Sequence, residues 1–494
     1  MNVSQLLRES AARLPDKVAL IEASGTRSCT FADLDRAVDK VATALLDRGL
    51  GAGDRVAIVL PNVHEFPISY LAILRAGGVA VPLNLMLTEA EMGRILADAG
   101  ASFVIAAPPL VETAEAGIGA GGLDAQVIST DSWPALPEAP GPIEPSTGGD
   151  DLAVLSYTSG TTGEPKGAML SHGNLLANLE QQMAIPLDTV KEDDVLFLTL
   201  PMFHIFGLNV PLGLLLLNGA TALMLERFEP VEALRLIEKH KVTVLFGAPP
   251  MYLAWVNTPG ADQYDLSTVR LAVSGAAALS EDVLKRFSDL FGVEIYEGYG
   301  LTETAPTLTS NRMAKRPKTG SVGLPLPGVE LRLVDDKGND VELGDEGEIL
   351  ARGPNVFKGY WNKADATERA FLHGWFKTGD VAVRDEEGFV YLVDRKRDLI
   401  IVSGFNVFPS EVEEALVANP KVLEAAVVGE KHPYTGETVK AFVVLEDGAS
   451  ATEEELIADV ESRIARFKCP TSVEVLESLP HLLTGKVLRR ALRT

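Results

Sequence analysis

The sequence predicts an α/β protein in two parts: a large N-terminal domain of stacked α/β subdomains with a small β-barrel-like unit, then a small α+β domain. Three observations lead there. Over residues 4–105, and again from about 152 to 296, short apolar runs alternate with capped amphipathic stretches, as parallel strands and crossover helices do. From about 320 the chain turns β-rich and is punctuated by glycine, as at Gly323, Gly328, Gly344 and Gly347, which suits a small barrel or antiparallel unit. The 494 residues are too many for one ordinary domain, and those beyond Arg397 make a plausible domain of about 100 residues.

In order along the chain, Thr30, Phe31, Ala32 and Asp33 form the pattern of a capping box opening a helix to about Arg48. Residues 55–60 read as a buried strand stopped by Pro61 and Asn62. A helix carrying Tyr70, Leu71, Ile73 and Leu74 ends at Gly77 and Gly78, and 79–82 is a short strand. Thr88 and Glu91 cap a further helix, followed by a strand over 102–106. From about 107 to 150 the pattern dissolves into Ala, Gly, Pro and acidic residues, and a surface excursion with weak structure is expected. Alternation resumes with strands over 195–200, 221–225, 242–246, 269–273 and 293–296. Between them fall helices over 205–217, 230–240, 250–257 and 280–291. Ser410 and Glu413 have the spacing of one more capping box.

Composition narrows the function classes. The hydrophobic content of 46% supports a large core, yet no run approaches the ~18–20 uncharged apolar residues that cross a bilayer. The first ten residues lack a basic region followed by an apolar core, so no signal peptide is expected and a cytoplasmic protein is. Cys29 and Cys469 are too few for a metal cluster or a disulfide framework. A formal net charge of −25 opposes general nucleic-acid binding. No His/Cys spacing for a metal and no nucleophile–histidine triad is seen.

Chemistry concentrates between the apolar run 152–155 and a helix start at Ser171, His172, Gly173 and Asn174. There the chain reads Ser156-Tyr157-Thr158-Ser159-Gly160-Thr161-Thr162-Gly163-Glu164-Pro165-Lys166-Gly167. Glycines let backbone N–H groups turn onto an anion, hydroxyls donate further hydrogen bonds and a lysine supplies charge, which makes a polyphosphate cradle. A flexible linker has a similar composition. The stretch is no Walker A loop, because Gly167 rather than Ser or Thr follows Lys166. A second polar turn, Gly298-Tyr299-Gly300-Leu301-Thr302-Glu303-Thr304, directly follows a strand, where open α/β sheets bind ligands. Tyr299 offers a face for a base, Thr302 a hydroxyl for a phosphate and Glu303 a hard oxygen for Mg²⁺.

These stretches resemble the motifs of the adenylate-forming superfamily, which includes acyl-CoA synthetases, aryl-CoA ligases, firefly luciferase and nonribosomal adenylation domains. The likeness runs from residue 5 to 490, with its motifs in order, and is similar to the acyl-CoA synthetase or fatty-acid–CoA ligase branch. It implies that Thr158, Ser159, Gly160, Thr161, Thr162, Gly163 and Lys166 hold the ATP phosphates. Glu303 would hold Mg²⁺ and Thr302 would touch the α-phosphate. Gly275, Ala276 and Ala277, with Tyr299, would line the adenine and acyl site, although Ala278 stands where such enzymes often have Pro. Residues 357–362 resemble the motif that precedes Thr378-Gly379-Asp380, whose aspartate would accept the ribose hydroxyls, and Arg395, fifteen residues on, would be the second contact.

By the same resemblance Arg397 is the hinge, and Gly404 and Phe405 line the CoA tunnel once the small domain has rotated. Lys486, in Thr484-Gly485-Lys486-Val487, is the catalytic lysine, although the usual Pro is replaced near Leu482. His204 stands at the mouth of an acyl pocket formed with Gly298, Gly300 and Ala248, although a histidine between Phe203 and Ile205 is also an ordinary core residue.

The implied protein has an AMP- and acyl-binding domain over 1–394 and a mobile domain over 395–494. It would use ATP, Mg²⁺ and coenzyme A to turn an acid into acyl-AMP and then a thioester, with Thr302, Glu303, His204 and Lys486 as the catalytic set. The apolar stretch 204–217, and the absence of an arginine in the pocket segments, favour a medium- or long-chain fatty acid over a diacid. An aryl or other carboxylate is the alternative, as is loading of a carrier protein. Expected partners are the acid, ATP and CoA, without nucleic acid; a homodimer is an allowed assembly.

Overall fold

A computed structural model describes the chain except residues 26, 160–164, 278, 396–399, 403–404, 433–435, 465, 482–486 and 494. It divides into two compact units, one of Met1–Glu330 with Ala351–Phe376 and one of Leu331–Leu350 with Lys377–Thr494.

Among its described residues the first unit holds two large sheets. One runs Gln126–Ser129, Ala101–Ala106, Arg55–Val59, Val79–Pro82, Leu152–Ser159 and Pro165–Ser171, parallel except for the last pair. The other has Val18–Glu22, Thr221–Met224, Val195–Leu198, Val244–Gly247, Leu271–Ser274 and Ile295–Gly300 as its parallel centre. Ser28–Thr30 flanks it at one side, and Thr307–Ser310 with Leu324–Pro325 at the other, all antiparallel. Helices cover both faces of a parallel sheet, so its central strands are apolar throughout rather than alternating. Val56, Ala57, Ile58 and Val81 are accordingly wholly buried.

The local signals act as their chemistry requires. Helix Phe31–Asp47 opens on a capping box between Thr30 and Asp33, and helix Glu89–Ala99 on one between Thr88 and Glu91. Helix His172–Met183 is capped by Ser171 and Asn174 in the same way.

Three expectations need correction. The stretch 107–150 is not uniformly weak: it carries helix Val111–Gly121 and edge strand Gln126–Ser129, a further βα repeat. Its glycines serve helix packing, since a Cβ on Gly93 would lie 2.7 Å from Gly121 N and 2.8 Å from Gly117 O. The helix start expected at Ser171 is found, and between it and the glycine-rich stretch Pro165–Ser171 pairs antiparallel with Leu152–Ser159. The predicted helix 205–217 is two, Ile205–Asn209 and Pro211–Asn218, because Pro211 lacks the N–H that continuity would need. Ser410 caps nothing: Pro409 opens the helix Pro409–Val417, so Ser410 falls inside it and its hydroxyl donates to Val393 O.

In the second unit, the later part of strand Trp375–Arg384 pairs antiparallel with Val390–Arg395, with Asp380 opposite Arg395. A separate sheet runs Phe405–Val407, Ile400–Val402, Gly436–Leu445 and Val422–His432, with Ser472–Val475 parallel to Gly436–Leu445. Helices Pro409–Val417 and Glu453–Glu461 bury Val412, Leu416, Leu456 and Val460 against it. The outcome is an α/β fold with an α+β second unit.

Candidate active site

The hairpin Leu152–Ser159 and Pro165–Ser171 sets Lys166 opposite Thr158 and Pro165 opposite Ser159. Gly160, Thr161, Thr162 and Gly163 lie outside the described residues, as does the side chain of Ser159. The hairpin is anchored at its base. Tyr157 Oη donates to Asp98 Oδ2 at 2.7 Å, and the N–H of Val3 donates to Nδ1 of buried His172 at 3.1 Å. Burial pushes the His172 imidazole down to about 4, so it stays neutral at physiological pH.

One edge of strand Pro165–Ser171 is taken by residues 358–361. Met169 N–H donates to Gly359 O at 2.9 Å, Lys358 N–H to Met169 O at 2.9 Å and Trp361 N–H to Gly167 O at 2.8 Å. Tyr360 thereby stands beside Ala168. Its ring meets Phe357 edge-on at 4.9 Å, lies 5.4 Å from Lys166 Nζ, and its hydroxyl donates to Glu303 Oε1 at 2.7 Å. Burial, then the charge of Glu303, raises the phenol above its ordinary range. Lys166 and Glu303, 137 residues apart, are thus brought to one aromatic ring.

Glu303 lies in the short turn Thr302–Thr304 and is only 8% exposed. The backbone around it is held by buried asparagines. Asn355 Nδ2 donates to Thr304 O at 2.7 Å, Asn209 Nδ2 to Ala305 O at 2.7 Å and Asn178 Nδ2 to Thr307 O at 2.8 Å. Each supplies a donor to a backbone carbonyl in or beside the turn. Tyr299, largely buried, sits opposite Thr309, and Gly298 opposite Ser310. At Gly300 a Cβ would fall 1.9 Å from Pro306 O, so close backbone approach accounts for the glycine.

His204 caps helix Ile205–Asn209, its Nδ1 accepting the N–H of Phe206 at 3.3 Å. Burial lowers its pKa to about 4, leaving a neutral ring with the proton on Nε2. The Phe206 ring approaches Gly275, where a Cβ would meet Cε1 at 2.9 Å, and stands edge-on to Phe246 at 6.4 Å. Ala276 has φ +75° and is exposed with Ala277, while Ala248, only 4% exposed, precedes helix Pro249–Asn257.

In the second unit Asp380, 5% exposed, follows the left-handed Gly379; its N–H donates to Thr378 Oγ1 at 3.1 Å, and that hydroxyl to Ile349 O at 2.9 Å. For Arg395 and Phe405 only the backbone is described, and Arg397, Gly404 and Lys486 lie outside the described residues. The ends of 482–486 are held, however. His481 bridges Val487, Leu488 N–H donates to Pro480 O at 2.7 Å, and Arg489 forks onto Glu413.

Sequence reasoning passed over Tyr360 as anything but part of a motif, and missed Glu297 and the three asparagines. Glu297 carried a signal, being a carboxylate between an apolar strand and a glycine turn. The asparagines carried none, since their partners are distant carbonyls.

A hairpin leading into a glycine- and hydroxyl-rich sequence, a buried carboxylate turn and a histidine beside an apolar wall, at the carboxyl ends of parallel strands, are the parts of an enzyme of the adenylate-forming fold. The sequence pattern of the AMP-binding enzyme family matches residues 7–361, and that of the AMP-binding enzyme C-terminal domain matches 411–486. The chain is 37% identical to the long-chain-fatty-acid–CoA ligase of Bacillus subtilis (strain 168), over 99% of this chain and 94% of that protein. It is 38% identical to a feruloyl-CoA synthase of an Amycolatopsis species, over 98% and 96%. The solved structure of ATP-bound MatB from Rhodopseudomonas palustris superposes with a TM-score of 0.91 at 36% identity, covering 100% of this chain and 98% of that one. The chain belongs to the AMP-binding enzyme family, as an AMP-forming acyl-CoA synthetase. Among the described residues no helix is long and apolar enough to cross a membrane.

Proposed function

We propose that this enzyme activates a hydrophobic monocarboxylate, a medium- or long-chain fatty acid, and transfers it to CoA. The observation that carries the reading is the wall beside His204: Phe206 packs on Gly275 and against Phe246, and the imidazole is neutral. Such a wall rewards apolar chain and offers no charge to a second carboxylate. The B. subtilis relative's name agrees with this. An aryl acid is the second reading, because the feruloyl-CoA synthase is equally similar.

In this reading the carboxylate attacks the α-phosphorus of ATP and pyrophosphate leaves; CoA sulfur then attacks the acyl carbon and AMP leaves. Lys166 and the loop after Thr158 would hold the departing phosphates, Asp380 and Arg395 the ribose, and Lys486 the charge around the α-phosphorus, work done by position and electrostatics. No group of three or more acidic, His or Cys side chains among the described residues could cage a metal alone. A single carboxylate suits Mg²⁺, which takes substrate phosphates as its other ligands, so Glu303 would hold the Mg²⁺ of MgATP and the ion would offset phosphate charge. Residues 395–494 would turn about Arg397 between the two steps, bringing Gly404 and Phe405 to the thiol's path. ATP and CoA supply would place the enzyme in the cytoplasm.

The test is carboxylate-dependent exchange of labelled pyrophosphate into ATP across an acid panel, repeated with CoA while AMP and thioester are followed. Fatty acids should drive both. Preference for aryl acids would transfer the assignment to them, exchange without thioester would point to a carrier protein, and no exchange with any acid would end the proposal.

A further inference from the structure

Among the described residues, Tyr360 touches both Glu303 and Lys166, two of the charged groups assigned to the phosphate end of the nucleotide, and nothing in the reading above uses it. Its hydroxyl donates to Glu303 Oε1 at 2.7 Å and its ring lies 5.4 Å from Lys166 Nζ. We infer that Tyr360 is a positioning residue that sets the direction of the Glu303 carboxylate toward the nucleotide-bound cation and seats Lys166 over its ring. The inference rests on the proposed role of Glu303.

The side chain is fixed at every point that matters. Its backbone N–H donates to Thr367 Oγ1 at 2.9 Å, the carbonyl of its neighbour Gly359 accepts the N–H of Met169 in the hairpin strand, and its ring packs on Phe357 at 4.9 Å. Phe357 in turn donates its N–H to Glu303 O at 2.8 Å, so the turn and the tyrosine share one support. A carboxylate oxygen only accepts, so across this 2.7 Å contact the phenol O–H is the donor. A carboxylate oxygen that accepts from a fixed donor has the plane of its carboxylate fixed as well. A small cation with strict octahedral demands gains most from that arrangement, and outer partners of metal ligands act in this way. The ring face meanwhile attracts the ammonium group without neutralising it, since 5.4 Å is within cation–π range of about 6 Å.

The test uses the full-length enzyme with Mn²⁺ as the probe cation and the non-reacting analogue α,β-methylene-ATP. Free Mn²⁺ is read by electron paramagnetic resonance, and the Mg²⁺ dependence of pyrophosphate exchange is measured beside it. Tyr360→Phe keeps the ring and deletes the donor. Mn²⁺ affinity should fall about ten-fold, the Mg²⁺ needed for half-maximal exchange should rise by a similar factor, and excess Mg²⁺ should recover the rate. Tyr360→Leu should add a rise in the KM for ATP, because the ring beneath Lys166 is gone. Unchanged Mn²⁺ affinity in Tyr360→Phe would overturn the inference; that variant decides the matter even if Tyr360→Leu fails to fold. Glu303→Gln separates the two readings: if it leaves Mn²⁺ binding intact, the assignment of Glu303 has failed rather than that of Tyr360.

Discussion

The carboxylate of Glu297 accepts the N–H of Leu279 at 3.1 Å, joining the end of one parallel strand to the far end of the loop that leaves its neighbour. Glu297 is 6% exposed, and burial raises its pKa from 4.5 to about 7, the hydrogen bond only partly offsetting this. The buried hydroxyl of Ser274, opposite it in register, has no protein partner in the described structure.

A carboxyl whose folded pKa is raised stabilises the protein below its unfolded pKa and loses that contribution as pH rises through the folded value. The window here is about pH 4.5 to 7, and the amount at most about 3 kcal/mol. Glu297→Gln should therefore melt higher than the parent at about pH 8 and close to it at about pH 5. Thermal unfolding across that range checks it, and parallel pH curves for both proteins would contradict it.

His204 has the opposite sign. Its pKa is lowered from 6.5 to about 4, so its contribution is present above 6.5 and is lost as pH falls toward 4. The ring is neutral through the physiological range and should leave no limb near neutrality in the pH profile of acyl-AMP formation. His204→Ala should cost about 1 kcal/mol for the lost helix cap, and His204→Asn should restore most of it. Denaturant titration of the pair measures this; equal losses would mean that the cap does not contribute.

Gly300 allows two expectations to be told apart. As a pocket residue it would tune which acid fits, but its Cβ would collide with Pro306 O at 1.9 Å and with Pro306 C at 2.7 Å, both backbone. Gly300→Ala should destabilise by about 3 kcal/mol and lower activity on every acid alike. A shifted chain-length profile in a protein of unchanged melting temperature would return the residue to the pocket.

What was legible in the sequence was what is local. Thr30 with Asp33, and Thr88 with Glu91, announce helix starts because both halves of the cap lie three residues apart. The apolar runs around Val56 and Val244 announce strands because both faces are covered. Helix Val111–Gly121 was illegible because its glycines, read one at a time, look like loop; their purpose lies across the interface at Gly93. Strand Pro165–Ser171 was hidden because its own Pro165 and Gly167 read as a continuation of the glycine-rich loop before it. In the site, Lys166 and Glu303 stood out by residue type and motif, whereas Tyr360, Asn178, Asn209 and Asn355 matter through partners that only folding brings near.

The second unit yields the last prediction. Arg489 places Nη2 2.7 Å from Glu413 Oε2 and 2.9 Å from Oε1, with both side chains less than one-fifth exposed, and Glu413 also accepts the Val427 N–H at 2.7 Å. With the His481–Val487 bridge, this pair holds the end of the segment that contains Lys486. Arg489→Met removes one partner of a largely buried, forked ion pair and should cost about 3 kcal/mol. If Lys486 serves the adenylating step, a misplaced segment should slow acyl-AMP formation up to about 100-fold while thioester formation from supplied acyl-AMP changes little. Lys486→Ala should show the same split more strongly. Single-turnover assays of the two half-reactions distinguish the cases, because a general loss of folding would lower both together.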